Sequence, residues 1–473
     1  MAVSIDQQPM YSDSVIPIGQ QIMFSVSEPP IVATKFKVKF VAQVHISNFP
    51  ITLSNNSALI GTFKTTPNNA GVGIFDFRSV IETFLKPDNE PQTDIVPGSD
   101  SEYKGTRAQD TMFPIHLVDK FAISKNSIKY FAINFFIEYA DTATDSVIDF
   151  TTLDPTSSDQ WTMFNGVLQY DDNLDIFNND YGFSMSNYFF ANIAWPYPAN
   201  KSFLTTAPEI QYARLEDYGT IPFFNFFTTQ DIYEFEIKYY WSGGSSSETV
   251  LWQNSNGGTT SAGPLSNTRL GYFGAFPANL QNWSATFATA VTNGLTHYTV
   301  QAFASGSIYI SNILQVNILC PNLKGYEAVR LTWLNKWGTW DYYTFNMKST
   351  RSVTTNRTSY TQLGGTWNES TFKIAGYKGG KKNFRVNSTE KIKLNTDFVT
   401  EEEGVWFEQL INSNEVYVLE GFQSDRPFSS LNTYVQPTTV TNSSYVRKTI
   451  ANDKLMQYTF EIEKSKMKRT QAV

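Results

Sequence analysis

The chain predicts a mainly β, multi-domain, β-sandwich-like architecture with two short helices, at about residues 78–86 and 400–412. Three observations lead there. Aromatic residues make up 15% of the 473 positions and charged residues only 17%, a balance of large rings over charge that disordered chains lack. Several segments alternate apolar and polar residues with the period of a half-buried strand. The length, at roughly 100–200 residues per domain, suits more than one core.

Taken in order, FKVKFVAQV at 36–44 puts Phe36, Val38, Phe40, Ala42 and Val44 on one face of a strand and Lys37, Lys39 and Gln43 on the other. The run IKYFAINFFIEY at 128–139 is apolar almost throughout, which predicts a central strand buried on both faces. Between them Val80, Ile81, Phe84 and Leu85 recur at helical spacing after Asp76, and Pro87 ends the run. Residues 1–145 thus form an N-terminal β-rich domain with an arm. Residues 146–205 are expected as a connector or extended arm, the stretch 141–160 being acidic and rich in Ser and Thr.

A central β-sandwich-like domain at 206–323 rests on strands at 232–240, 297–303 and 308–310. Its stretch 242–264, rich in Gly, Ser and Asn, is expected as an exposed loop. A C-terminal β domain at 324–473 holds strands at 329–333 and 342–345 and the better-signalled helix, where Thr400 and Glu403 form a capping box ahead of Val405, Trp406, Leu410 and Ile411. Strict alternation at 455–463 predicts a closing strand with Met456, Tyr458, Phe460 and Ile462 on one face. No repeat of 20–50 residues points to a solenoid.

The residue inventory argues against catalysis. Three histidines (His45, His116, His297) limit acid–base chemistry near neutrality. His116 has Asp119 three residues on, but no nucleophile accompanies the pair. There is no HExxH, GxSxG or phosphate-loop motif, and GYKGGKKNF lacks the hydroxyl that such a loop places after its lysine. Cys320 stands alone, so neither an internal disulfide nor a thiolate metal cluster is available. Asp171, Asn173 and Asp175 have the alternate spacing of a calcium loop, but Ile176 and Gly182 occupy the positions that need Gly and Glu. No catalytic residue, cofactor or metal is therefore assigned.

No basic and apolar leader follows Met1, and no apolar run reaches the ~18 residues of a membrane span. A soluble product, without sequon glycosylation, is the expectation. Net charge is −8 overall but unevenly placed: residues 1–325 carry 16 Lys and Arg against 29 Asp and Glu, or −13, and residues 326–473 carry 20 against 15, or +5. Opposite signs of this kind fit either steering of one subunit's acidic face onto a neighbour's basic face or ordinary variation of surface charge. The aromatic group Trp333, Trp337, Trp340, Tyr342 and Tyr343, with Trp406, is a candidate set of interface anchors or of sugar-stacking rings. The basic tail Lys464, Lys466, Lys468 and Arg469 is a candidate contact to DNA or to an acidic neighbour.

The stretches GVGIFDFRSVIETFL, WTMFNGVLQYDD, KSFLTTAP, YFGAFPANL, WLNKWGTWDYYTF and the run from LNTDFVTEEEGVWFEQLINSNEVYVLEG to KLMQYTFEIEKSKMKR resemble segments of tailed-bacteriophage virion proteins, especially those of crAss-like and related phages of Bacteroidetes. They touch most of the chain from about residue 70 onward. The resemblance implies a structural, non-enzymatic virion subunit, a homo-oligomeric ring component of the tail, neck or portal-proximal assembly around the DNA channel. Its neighbours would be other tail, neck or portal proteins and the packaged DNA, and assembly would take place in the host bacterial cytoplasm. The alternative is a receptor- or glycan-binding adhesin or fibre-attachment protein.

Overall fold

The structure is a computed structural model that describes residues 3–9, 15–48, 50–51, 58–89, 115, 120–124, 126–167, 188, 201–224, 232–252, 270–304, 308–319, 325–366, 368–419, 435–449 and 455–469. It is mainly β, and its contacts divide the chain into two units: residues 1–319 with 334–341, and residues 320–333 with 342–473.

The first unit contains two pairs of facing sheets. In one pair, the three-stranded sheet ordered Ser4–Gln7, Met23–Ser27, Val72–Asp76 covers a sheet ordered Val15–Pro17, Trp161–Phe164, Ile128–Ala140, Phe36–Ser47, Leu59–Thr65. Phe24 joins them, with ring centroids 6.1 Å from Phe131 and 5.5 Å from both Phe135 and Trp161. Burying each such ring contributes about 2 kcal/mol, with a further ~1 kcal/mol from edge-to-face or offset geometry.

The strand expected to be central is central: Ile128–Ala140 lies between two partners and is buried along nearly its whole length. The strand Phe36–Ser47 buries Phe40, Ala42 and Val44 as its alternation predicts. Phe36 departs from the pattern and is exposed, because the register shifts between Phe36 and Lys39 where Lys37 takes a φ of 54°. Among the described residues, strands Val15–Pro17 of the expected N-terminal arm and Trp161–Phe164 of the expected connector are woven into this pair of sheets. Val15–Pro17 runs parallel to Trp161–Phe164, which in turn pairs with Ile128–Ala140.

In the other pair, Ile210–Ala213, Leu314–Ile318, Leu295–Ala304, Ile232–Trp241 and Gly244–Leu251 form one sheet, and Ile221–Phe224, Leu270–Phe273 and Phe121–Ile123 the other. Phe235 sits between them, 5.6, 5.0 and 4.7 Å from Phe121, Phe223 and Phe273. The expected loop at 242–264 is corrected in its first part. Gly244–Leu251 is a strand paired along its length with Ile232–Trp241, and Ser242 and Gly243 form the turn, Gly243 at a φ of 105°. Residues 253–264 lie outside the described residues. The polar composition is that of a strand with most of its surface in water, which removes the apolar alternation without removing the backbone ladder.

Five α-helices occur among the described residues. Two were expected: Arg78–Ile81, continued by the 3-10 turn Glu82–Phe84, and Glu401–Asn412. Pro29–Thr34, Pro277–Trp283 and Ala285–Thr292 are additional. The last two have local start signals, Pro277 in the first turn and Ser284, whose Oγ accepts from the Phe287 amide at 2.8 Å.

The second unit is built on a seven-stranded sheet ordered Trp340–Phe345, Val329–Leu334, Val416–Leu419, Val435–Val440, Thr459–Lys464, Gly380–Asn395, Thr350–Gln362. Met456, Tyr458, Phe460 and Ile462 are all buried, as their alternation predicts. Helix Glu401–Asn412 packs through Trp406, Phe407 and Leu410, whereas Val405 is exposed. Phe407 stands 5.4 Å from Phe460 and 6.2 Å from Phe345.

The capping box is present: Thr400 Oγ1 accepts from the Glu403 amide at 3.2 Å and Glu403 Oε2 from the Thr400 amide at 2.8 Å. Burial holds the Glu403 carboxyl above its usual range. Thr400→Ala removes one arm of the box and is expected to cost about 1 kcal/mol. Hydrogen exchange of the Glu403 to Phe407 amides, roughly fivefold faster at neutral pH, checks it.

Candidate interaction surface

The aromatic candidates belong to the chain's own interior. Trp333, Trp337, Trp340, Tyr342 and Trp406 are exposed by 0, 2, 1, 4 and 4%. Within the second unit Trp333 packs on Trp406 at 4.8 Å, and the Arg330 guanidinium lies 5.1 Å from the Tyr342 ring. Within the first, the Trp340 indole donates to the Asp88 carbonyl at 3.2 Å and Trp337 lies 6.3 Å from Phe164. The expectation that these rings anchor a neighbour or stack on sugars is corrected, since rings with both faces packed offer nothing to a ligand.

The polar residues among those aromatics hold the segment 334–341 in place. Asn335 Oδ1 accepts from the amides of Trp337 and Thr339 at 2.9 and 3.2 Å, while Thr339 Oγ1 donates to the Leu204 carbonyl at 2.6 Å. The buried Asp341 carboxylate accepts from Thr205, Thr206 and Asn335 at 2.6, 3.0 and 3.0 Å. Asp88 is likewise buried and satisfied, by Ser124, the Asn126 amide and Tyr272 at 2.7, 2.8 and 2.8 Å. Carboxylates supplied with this many donors serve as structural acceptors.

The basic C-terminal candidates are also partly recruited inward. Lys464 is buried on the closing strand, 3.8 Å from Glu390, and Lys468 reaches the same carboxylate at 2.5 Å. Arg351 Nη1 donates to Glu390 from the other side at 2.8 Å. Lys468, the burial of the site and then Arg351 set the Glu390 carboxyl, and the cations prevail, holding it down to about 2. Arg469 donates to Asn387 at 2.6 Å, and Lys466 is exposed. Lys464 is buried against a carboxylate of its own chain, which corrects its reading as part of an open basic tail, whereas Lys468 pairs with the same carboxylate from a side chain that is 65% exposed.

The remaining candidates for chemistry show no assembled site. His45 is fully buried with neither ring nitrogen hydrogen-bonded, and its burial lowers its pKa, so it is neutral at physiological pH. His297 stacks on Tyr240 at 4.7 Å. Glu248 accepts from both Tyr239 and Ser284, a contact that ties the strand to a helix start. No group of three metal-ligating side chains occurs among the described residues. His116, Asp119, Asp171, Asn173, Asp175 and Cys320 lie outside them.

The surface that does stand out is one where no apolar alternation predicts a strand. Thr350–Gln362 and Gly380–Asn395 form an antiparallel ribbon whose register runs from Thr350 opposite Lys393 to Gln362 opposite Gly380. At its base Lys391 to Asn395 pair with Thr459–Lys464. Further out, the strand from Gly380 to Asn387 has only the facing strand as its ladder partner among the described residues, over about 27 Å at the usual rise.

Twelve of the thirteen residues of Thr350–Gln362 are exposed, as are the first seven of Gly380–Asn395. The tip closes through glycines at positive φ (Gly365, Gly379 and Gly380) and through the Thr366 amide donating to the Lys373 carbonyl at 3.0 Å. It carries Leu363, Phe372, Ile374 and Tyr377 exposed by 63, 60, 87 and 80%. Phe384 and Tyr360 add exposed rings along the shaft. Large apolar side chains presented together in water mark a surface made to be covered.

Compared with known proteins, the chain matches no family model and no curated sequence.

Proposed function

We propose that this protein is a structural, non-enzymatic subunit of a bacteriophage virion, present in many copies as a ring component of the tail, neck or portal-proximal assembly. The observation that carries the reading is the exposed β-ribbon with its apolar tip, a projection that a solitary globular protein has no physical reason to keep in water. The sequence resemblance described above supplies the virion context. The distribution of charge between the two parts of the sequence supports contact between unlike surfaces, which generates rings when the rotation closes. The adhesin alternative loses its main support, because the tryptophans proposed to stack on sugar are interior.

Light scattering after size exclusion, across micromolar concentrations of the full chain, tests the reading. A discrete mass of several copies, seen as closed rings by negative-stain imaging, is expected. A single copy at every concentration would refute self-assembly.

A further inference from the structure

We propose that the ribbon of residues 350–395 is an arm that docks on the acidic segment 141–159 of a second copy of this chain, joining copies head to tail. The inference rests on the multi-copy reading above and adds the two surfaces that meet.

Charge identifies the partner. Residues 350–395 contain nine Lys and Arg (Arg351, Arg357, Lys373, Lys378, Lys381, Lys382, Arg385, Lys391, Lys393) and two acids, Glu369 and Glu390, a net +7. Of the chain's 36 basic and 44 acidic residues, this leaves 27 and 42 elsewhere, a net −15. The +5 of residues 326–473 is therefore wholly the ribbon's, since the remainder of that part has 11 basic against 13 acidic residues. A projection of one sign on a body of the other is complementary to a copy of itself, and such complementarity steers encounter and fixes register.

Residues 141–159 hold Asp141, Asp145, Asp149, Asp154 and Asp159 with no Lys or Arg, and all five are exposed; Asp141 is paired with Lys35 of its own chain at 2.6 Å, which leaves the other four to face a partner. Val147, in their midst, is an exposed apolar side chain that matches the ribbon's mixture of cations and rings. That mixture favours a protein partner over a phosphate backbone. Four apolar groups at the tip gain nothing from phosphates, whereas contact with a protein removes them from water. The ladder is already formed, so docking orders little new chain. The two patches differ, so the contact is heterologous, and it produces a ring when the rotation between copies closes.

Charge exchange tests the contact in the full chain. The triple variant Lys381→Glu, Lys382→Glu, Arg385→Glu and the double variant Asp145→Lys, Asp154→Lys change exposed residues, so both are expected to keep the wild-type circular dichroism and unfolding temperature. Each is expected to raise the dissociation constant between copies at least tenfold in sedimentation equilibrium at physiological salt, and the chain carrying all five changes is expected to recover most of the loss.

Assembly by the triple variant indistinguishable from wild type would overturn the arm while leaving the multi-copy reading standing. Weakening without recovery in the five-fold variant would overturn the choice of segment 141–159. Loss of duplex DNA binding in the triple variant with mass unchanged would assign the ribbon to nucleic acid instead. A wild-type chain that is a single copy throughout would refute the underlying reading itself.

Discussion

Gly338→Ala is expected to destabilise the chain by about 4 kcal/mol, from ~1–2 kcal/mol for placing a side chain at positive φ and the rest from overpacking. Gly338 sits at a φ of 70°, and a Cβ there would lie 1.7 Å from the Asn165 carbonyl oxygen. Both are backbone positions held by other bonds. The Gly338 amide donates to the Asn335 carbonyl at 2.9 Å, and the Asn165 amide to the Ser127 carbonyl at 2.9 Å, so neither side yields cheaply.

Gly294→Ala is the control, because Gly294 has a φ of 85° but open space around its Cβ. It is expected to cost only about 1 kcal/mol. Denaturant midpoints of the two variants, read against wild type, separate conformational strain from collision. Equal losses would show that the approach of Asn165 is not rigid.

Glu390→Gln is expected to remove about 2 kcal/mol at pH 7, after discounting for the solvent that screens Lys468. The carboxyl titrates near 2 in the folded chain and near 4.5 when free, so its contribution is fully present above pH 4.5. It fades as the pH falls from there toward 2. The variant should therefore unfold earlier than wild type at pH 7, and the two should converge on acidification. Thermal midpoints between pH 7 and pH 3 check the sign; a gap that stays constant with pH would mean that packing of Glu390, and not its charge, supplies the stability. The same carboxylate anchors Arg351 at the base of the ribbon, so the variant is also expected to loosen exchange protection at Lys391 to Leu394.

Much of the fold was legible because burial leaves a pattern. The closing strand, the central strand Ile128–Ala140 and the capped helix Glu401–Asn412 each bury one or both faces, and the apolar period follows. The ribbon left no such pattern, since it buries neither face over most of its length. What survives in TRSVTTNRTSYTQ is β-branched composition and the glycines that close the tip. Helix Ala285–Thr292 was hidden for a related reason: its Ala- and Thr-rich length of just over two turns is too short to show a period, and only Ser284 marks its start.

The aromatic residues could not be assigned to core or interface from composition, because both environments bury rings. Trp333 and Tyr377 are equally apolar in sequence, and only the fold puts one at 0% exposure and the other at 80%. In the basic tail Lys464 misled in the same way. Lys464 and Lys468 lie far in sequence from Glu390, and it is the pairing of the last strand with Gly380–Asn395 that brings them to it.

The most direct measurement of the account is a photo-crosslink from the ribbon tip. A photoreactive phenylalanine analogue at position 377, in a mixture of isotopically heavy and light full-length chains, reports which copy and which surface the tip touches. Tyr377 is well exposed in the single chain, so the substitution leaves the fold intact. Heavy-to-light crosslinks to residues within or beside 141–159 are expected, abolished by Lys381→Glu, Lys382→Glu, Arg385→Glu. Crosslinks confined to one isotope, or between copies but onto the ribbon itself, would contradict the proposed contact.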